Sequence, residues 1–197
     1  MNLKTEQKKA AKARILDSAA HLLREKGLDG AGVAEIMKNA GLTHGGFYAH
    51  FDNKNDLVNQ AFTHAMDTSR ESWFEELDNA TAETTLKTLI NRYLSRDHRD
   101  NIETGCPLPP LSADMSASGI DSTNTLEKNL KKSIKRNSDQ IKKLENNLEV
   151  DPTDEAIAQL ALSVGGILLA RAVESSSFSD RILKACRKMA LRDLKLN

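Results

Sequence analysis

Residues 41–51, Gly41-Leu42-Thr43-His44-Gly45-Gly46-Phe47-Tyr48-Ala49-His50-Phe51, combine polar tips with bare backbone in the way a DNA-contacting helix requires. A glycine inside a helix costs roughly 1 kcal/mol relative to alanine, so two in succession imply that something must come close. At the start of a recognition helix the missing side chains admit phosphates and base edges, and the helix N-terminus favours an anion. Thr43 is placed to cap such a helix. His44, Tyr48 and His50 offer polar tips on or beside one face, while Phe47 and Phe51, four apart, anchor it. A glycine-rich loop closing on a buried aromatic cluster would use the same residues, but the sequence upstream weighs against it.

Positioning that segment requires two earlier elements, and the pattern supplies them. Over residues 10–26 the apolar positions Ile15, Leu16, Ala19, Leu22 and Leu23 recur at helical spacing, with Gly27 where a helix would stop. Val33, Ile36, Met37 and Ala40 make a second, shorter stripe, and residues 41–43 form the turn into the third helix. Three helices with a short turn between the last two match a docking geometry in which the third enters the major groove.

Residues 10–58 resemble the DNA-binding domain of the TetR family of transcriptional regulators. The matching residues are Ile15-Leu16-Asp17-Ser18-Ala19, Gly27, Val33, Ile36, Gly41, Thr43, Gly45, Tyr48, His50-Phe51, Lys54 and Leu57. The resemblance implies that Thr43, His44, Gly45 and Gly46 face the groove, that Tyr48 and His50 contact phosphates, and that Lys54 holds a phosphate from the start of the next helix. Asn53 as cap and Asp56 three residues on would stabilise that start. One departure is Ala31-Gly32, which stands where the family has a hydroxyl residue opening the second helix, so no side-chain phosphate contact is expected there.

The 28 basic and 28 acidic residues give no net basicity to advertise a nucleic-acid partner. The first 14 residues are nevertheless basic, with Lys4, Lys8, Lys9, Lys12 and Arg14 against Glu6. They read as a disordered arm that would strengthen DNA binding through counterion release, or as a solubilising tail.

A three-helix module needs about 50 residues and leaves some 140 of the 197 for a second, larger helical domain. No hairpin signal interrupts the helical spacing, so the expected fold is all-α. A helix-turn-helix domain at 9–69, with its motif at 32–51, precedes a ligand-binding and dimerisation domain at 70–197. Helices are expected over 56–77, 82–99, 111–118, 125–148, 151–174 and 179–194, with a rigid break at the prolines of 107–110. The helix over 125–148 turns Leu126, Leu130, Ile134, Ile141, Leu144 and Leu148 inward and a row of lysines with Arg136 outward. The segment after Pro152 is apolar around most of its circumference, with an unbroken run too short for a membrane span. Its expected cover is a second subunit, with Gly165-Gly166 permitting close approach and helices near 154–174 and 179–194 forming a four-helix interface.

Cys106 and Cys186 lack any metal or disulfide spacing, so no metal or cofactor is expected, and the absence of a secretory start makes the cytoplasm the expected compartment. Cys106 would act as a sensor thiol if Arg96 or Arg99 lowered its pKa, although free cysteines are more often buried hydrophobes. Trp73, Phe74, Tyr93, Cys106, Leu108, Leu111 and Met115 are the candidate lining of an effector cavity. The expectation is therefore a non-enzymatic, ligand-responsive regulator, in the first instance a repressor, that binds a double-stranded palindromic operator as a homodimer. The effector is an unidentified small molecule. The alternatives are a ligand-binding protein without DNA-binding activity and a small thiol enzyme that pairs Cys106 with His98.

Overall fold

The computed structural model describes residues 3–144 and 150–196, and every regular element among them is helical. Helix α1 (Leu3–Gly30) starts well before residue 10, so the basic segment is an exposed helical extension and not a disordered arm. Its Lys, Glu, Gln and Ala content explains this, because all are strong helix formers. The helix breaks at Gly27, whose φ of 74° and ψ of 177° suit only glycine. Just beyond, the Leu28 N–H donates to Asp114 Oδ2 at 3.4 Å. Helix α2 (Val33–Asn39) opens at Gly32 without a side-chain cap, in keeping with the Ala31-Gly32 departure.

A short 3-10 helix (His44–Ala49) follows, then α3 (Lys54–Phe74), α4 (Ala82–Tyr93), α5 (Arg96–Asp100), α6 (Leu108–Ala117), α7 (Ile120–Ile141), α8 (Pro152–Arg171) and α9 (Ser176–Asp193). The expected helix over 82–99 is two, because Leu94 leaves helical geometry and Ser95 opens α5 by accepting from the His98 N–H at 3.1 Å. Helix α6 starts at Leu108 and not at 111. Pro109 and Pro110 fall in its first turn, where a missing N–H costs no intrahelical bond. Helix α7 begins directly after Gly119 and ends at Ile141, and the expected continuation to Leu148 lies outside the described residues. Asp151 caps α8 by accepting from the N–H groups of Thr153 (2.7 Å) and Asp154 (3.2 Å).

Two apolar clusters hold these helices together. The first joins α1, α2, the 3-10 helix and α3 to Cys106, Leu108, Leu111 and Met115, with Leu126 of α7. The second joins Leu86, Ile90 and Leu94 to Ile141 and to α8 and α9. Tyr93 packs against both. Arg24 crosses the first cluster as a buried cation with no carboxylate partner among the described residues. It donates to the carbonyls of Ala20, Ala65 and Glu103, so α1 is tied to α3 and to the segment before α6.

Candidate nucleic-acid interface and ligand cavity

The turn from α2 is closed by Gly41, at φ 70°, and by Leu42 N–H donating to the Met37 carbonyl at 2.9 Å. Phe47 and Phe51 are buried with their rings stacked 5.7 Å apart, so the anchor expected from their spacing is present. The element between is 3-10 rather than α, which tightens the segment and places His50 beyond its end. A Cβ added at Gly45 would meet nothing within 4 Å, and one added at Gly46 would meet Met37 Cε at 3.7 Å. Gly45 is thus open backbone on the surface. Tyr48 beside it is 72% exposed.

Thr43 does not cap the element with its side chain, as the sequence had suggested, and only its carbonyl takes part, accepting from Gly46 N–H at 3.0 Å. Its hydroxyl, His44, the Tyr48 hydroxyl and the Lys54 ammonium have no hydrogen-bond partner among the described residues. Lys54 is the first residue of α3. Asn53 Oδ1 accepts from Asp56 N–H at 2.9 Å, and the Asp56 carboxylate accepts from Asp52 N–H at 3.2 Å, the reciprocal arrangement expected from Asn53 and Asp56. His50 differs from its neighbours. It is half-buried against Phe51 with Nδ1 buried and unpartnered, and burial, then Lys8 and Lys12, lower its pKa, so the ring is neutral at neutral pH. The helical extension of α1 is what brings those lysines here, and the Lys12 ammonium lies 5.2 Å over the Phe51 ring. The repeat Lys4, Lys8, Lys12 at four-residue spacing was the signal that this edge includes α1.

At the other end of α3 a cavity of about 120 Å3 opens between the two apolar clusters, far above the roughly 10–15 Å3 that one water needs. Trp73, Phe74, Tyr93, Cys106 and Leu108 line it. Leu111 and Met115 do not: both are buried against α1 and α3 in the first cluster, because the inner face of α6 meets the amino-terminal helices. Arg136 also differs from expectation. It is half-buried and turns inward, its Cζ 3.6 Å from the centre of the Phe74 ring and its Nη1 donating to the Arg70 carbonyl at 3.2 Å. Burial, followed by the neighbouring Arg70 charge, lowers its pKa.

Cys106 and His98 are adjacent, but not as a catalytic pair. His98 Nε2 accepts from the backbone N–H of Cys106 at 2.9 Å, and Nδ1 donates to the Tyr93 carbonyl at 2.7 Å, so both ring nitrogens are occupied by backbone. Burial lowers the His98 pKa to about 4, fixing the neutral ring. Burial pushes the Cys106 thiol up, against weaker opposing effects of its hydrogen-bond neighbours and of Arg24 and Arg171. Arg96 and Arg99, either of which would have had to activate it for a sensor role, are instead held by Asp180 and Asp100.

On the outer side of α8, Ile157, Ala161, Gly165 and Leu168 follow one another at helical intervals and are exposed or half-buried, with Leu169 beside them. Phe178, Ile182, Ala185 and Met189 do the same on α9. Gly166 is not part of this face. A Cβ there would come within 2.9 Å of Cys186 Sγ and 3.0 Å of Leu94 Cδ2, so it serves close packing inside the chain, and only Gly165 is open. At 20 residues and a mean hydropathy of 1.3, α8 is long and apolar enough to cross a membrane by those measures, although polar residues interrupt its apolar run. It is also a packed helix, with its inner side, including Ala156, Ile167 and Ala170, buried in the second cluster.

Residues 15–61 match the family model described as bacterial regulatory proteins, tetR family. Two regulators of Bacillus subtilis (strain 168) are similar to the amino-terminal part. The uncharacterized HTH-type transcriptional regulator YvdT is 40% identical over 58 residues, 27% of this chain and 30% of that one. The Fatty acid metabolism regulator protein is 31% identical over 91 residues, 46% of this chain and 47% of that one. The matched stretches thus span less than half the length of either relative. In fold the likeness is nearly complete: a TetR-family transcriptional regulator from Cytophaga hutchinsonii superposes with a TM-score of 0.80 over 94% of this chain and 96% of that one, at 21% identity. Residues 15–61, running from α1 into α3, thus carry the domain described by the tetR family model, and the fold of nearly the whole chain is that of a solved regulator.

Proposed function

We propose that the protein is a ligand-responsive transcriptional regulator, a repressor that binds a palindromic operator as a homodimer in the cytoplasm. The observation that carries this reading is the edge from Thr43 to Lys54, where open glycine backbone stands among the side chains of Thr43, His44, Tyr48 and Lys54, which have no hydrogen-bond partner among the described residues. Thr43, His44, Gly45 and Gly46 would meet base edges, and Tyr48, Lys54 and the extension bearing Lys8 and Lys12 would meet phosphates. His50 has a smaller part, because its ring is half-buried and neutral.

The apolar faces of α8 and α9 support the dimer, since each leaves a helical row of apolar residues exposed. Leu108 and Cys106 belong both to the cavity wall and to the cluster that holds α1. An effector there would press on α3 and α6 together and change the separation of two recognition edges that must fit half-sites about one helical turn, or a multiple of it, apart.

The test is a titration of the purified chain against DNA flanking its own gene, at several salt concentrations. Saturable binding of two protomers per site, weakening steeply with salt, is the expected result. Salt-insensitive binding, or none to any duplex from that region, overturns the regulator reading. The occupied ring nitrogens of His98 and the raised pKa of Cys106 weigh against a thiol enzyme.

A further inference from the structure

The cavity has an uneven polarity that specifies more than a place for a ligand. None of the described residues that line it is Asp or Glu, whereas two are arginines. They are not equivalent. Arg70 is fully engaged, donating to Asp67 in an ion pair, to Ser133 at 3.2 Å and to Asn129 Oδ1 at 3.2 Å. Arg136 has no carboxylate within ion-pair distance among the described residues, and Phe74 holds its guanidinium in place from one side. An unpaired, partly desolvated cation at the edge of an apolar chamber favours an anion.

A second, independent deficit lies on α8. Gln159, 8% exposed, donates its amide nitrogen to Glu155 Oε1 at 2.7 Å and to the Ala190 carbonyl at 3.1 Å. Because both of those neighbours are acceptors, the amide cannot be turned round, and Oε1 is left buried with no donor. The Tyr93 hydroxyl, also at the wall, is likewise buried without a well-formed hydrogen bond beside the Cys106 thiol. A buried acceptor left unpaired is costly, and a guest that brings a donor recovers that cost. The wall between these polar points is apolar and partly aromatic, with Trp73 and Tyr93 ring centroids 5.1 Å apart.

We infer that the cavity takes a small amphiphilic organic anion, with its carboxylate at Arg136 and its apolar body carrying a hydroxyl or amide N–H that donates to Gln159. This inference rests on the cavity being the effector site. Trp73, the only tryptophan, lines the cavity, so its fluorescence reports occupancy of the full-length protein directly.

Matched probes separate the features: 3-phenylpropanoate, its three ring-hydroxylated derivatives, 3-phenylpropanol and 3-phenylpropylammonium. The acid is expected to bind about tenfold tighter than the alcohol, the ammonium not to compete, and at least one hydroxylated acid to gain about fivefold more. Arg136→Met should bring the acid to the alcohol's affinity without changing the alcohol's, and Arg136→Lys should restore part of the difference. Gln159→Met should erase the gain from hydroxylation alone. An ammonium that binds as well as the acid, an unaltered acid affinity in Arg136→Met, or no binding by any probe overturns the inference. A hydroxylated series no better than the parent acid overturns its donor half and assigns Gln159 to water. Operator release is measured separately: selective acid binding that leaves the DNA complex intact refutes the effector reading while the ligand class stands.

Discussion

The two ends of α3 both leave polar atoms without partners, but in opposite surroundings. At the Lys54 end they sit in water on a preformed edge, braced by Phe47, Phe51 and the Asn53–Asp56 cap. At the Trp73 end Gln159, a residue of the chamber wall, keeps its Oε1 buried without a donor among the described residues. Water satisfies the first set at almost no cost, so that edge is stable empty. The second set is costly until something arrives. On the proposed function, the outer edge would be recognised as it stands and the chamber would change when filled.

The largest expected effect tests where that division runs. Leu111→Ala should cost about 2–5 kcal/mol of stability, because the residue is 1% exposed in the cluster around α1, yet it should leave binding of 3-phenylpropanoate unchanged. Thermal unfolding and Trp73 fluorescence together check this, and an affinity that falls with stability would move Leu111 to the chamber side.

The next concerns His98, whose folded pKa of about 4 lies below its unfolded value of 6.5. Above pH 6.5 the ring is neutral in both states and has no effect on the balance. As pH falls toward 4 only the unfolded chain takes up the proton, so stability drops, by about 3 kcal/mol over the window. His98→Asn should flatten that slope in urea titrations run from pH 7 to pH 4. An unchanged slope would place the acid sensitivity elsewhere.

At the outer edge, Gly45→Glu should lower operator affinity about 100-fold through repulsion of phosphates while leaving the circular dichroism and unfolding midpoint intact, because a Cβ there meets nothing. Loss of fold in this variant would mean that the glycine serves packing. Smallest are Tyr48→Phe and Lys54→Ala, about tenfold or less on every DNA sequence. The lysine change should also reduce the salt slope by about one, whereas His44 substitutions should reorder preference among operators.

The outer edge was largely readable from local spacing, since Gly27, the Phe47–Phe51 pair and the Asn53–Asp56 cap depend on neighbours within a few residues. The chamber was readable only in part. Leu111 and Met115 share with Leu108 the apolar character that suggested a lining, but which neighbour each faces depends on how α6 lies against α1. Arg136 looked like one more cation on a solvated row, and only Phe74, 62 positions away in the chain, turns it inward. Gly166 suggested an intersubunit contact and is instead taken by Cys186 of the same chain. The 3-10 character of residues 44–49 was also hidden, and it moved His50 off the face where an α-helical spacing would have put it.

The continuity of α3 has a mechanical consequence. Its 21 residues form a rod about 30 Å long, so a tilt of about 5° pivoting at Phe74 displaces Lys54 by about 2–3 Å, the length of a hydrogen bond. A guest that moves the chamber wall by a fraction of an ångström would thus act on the short arm of a lever whose long arm carries Lys54, the residue proposed to hold a phosphate.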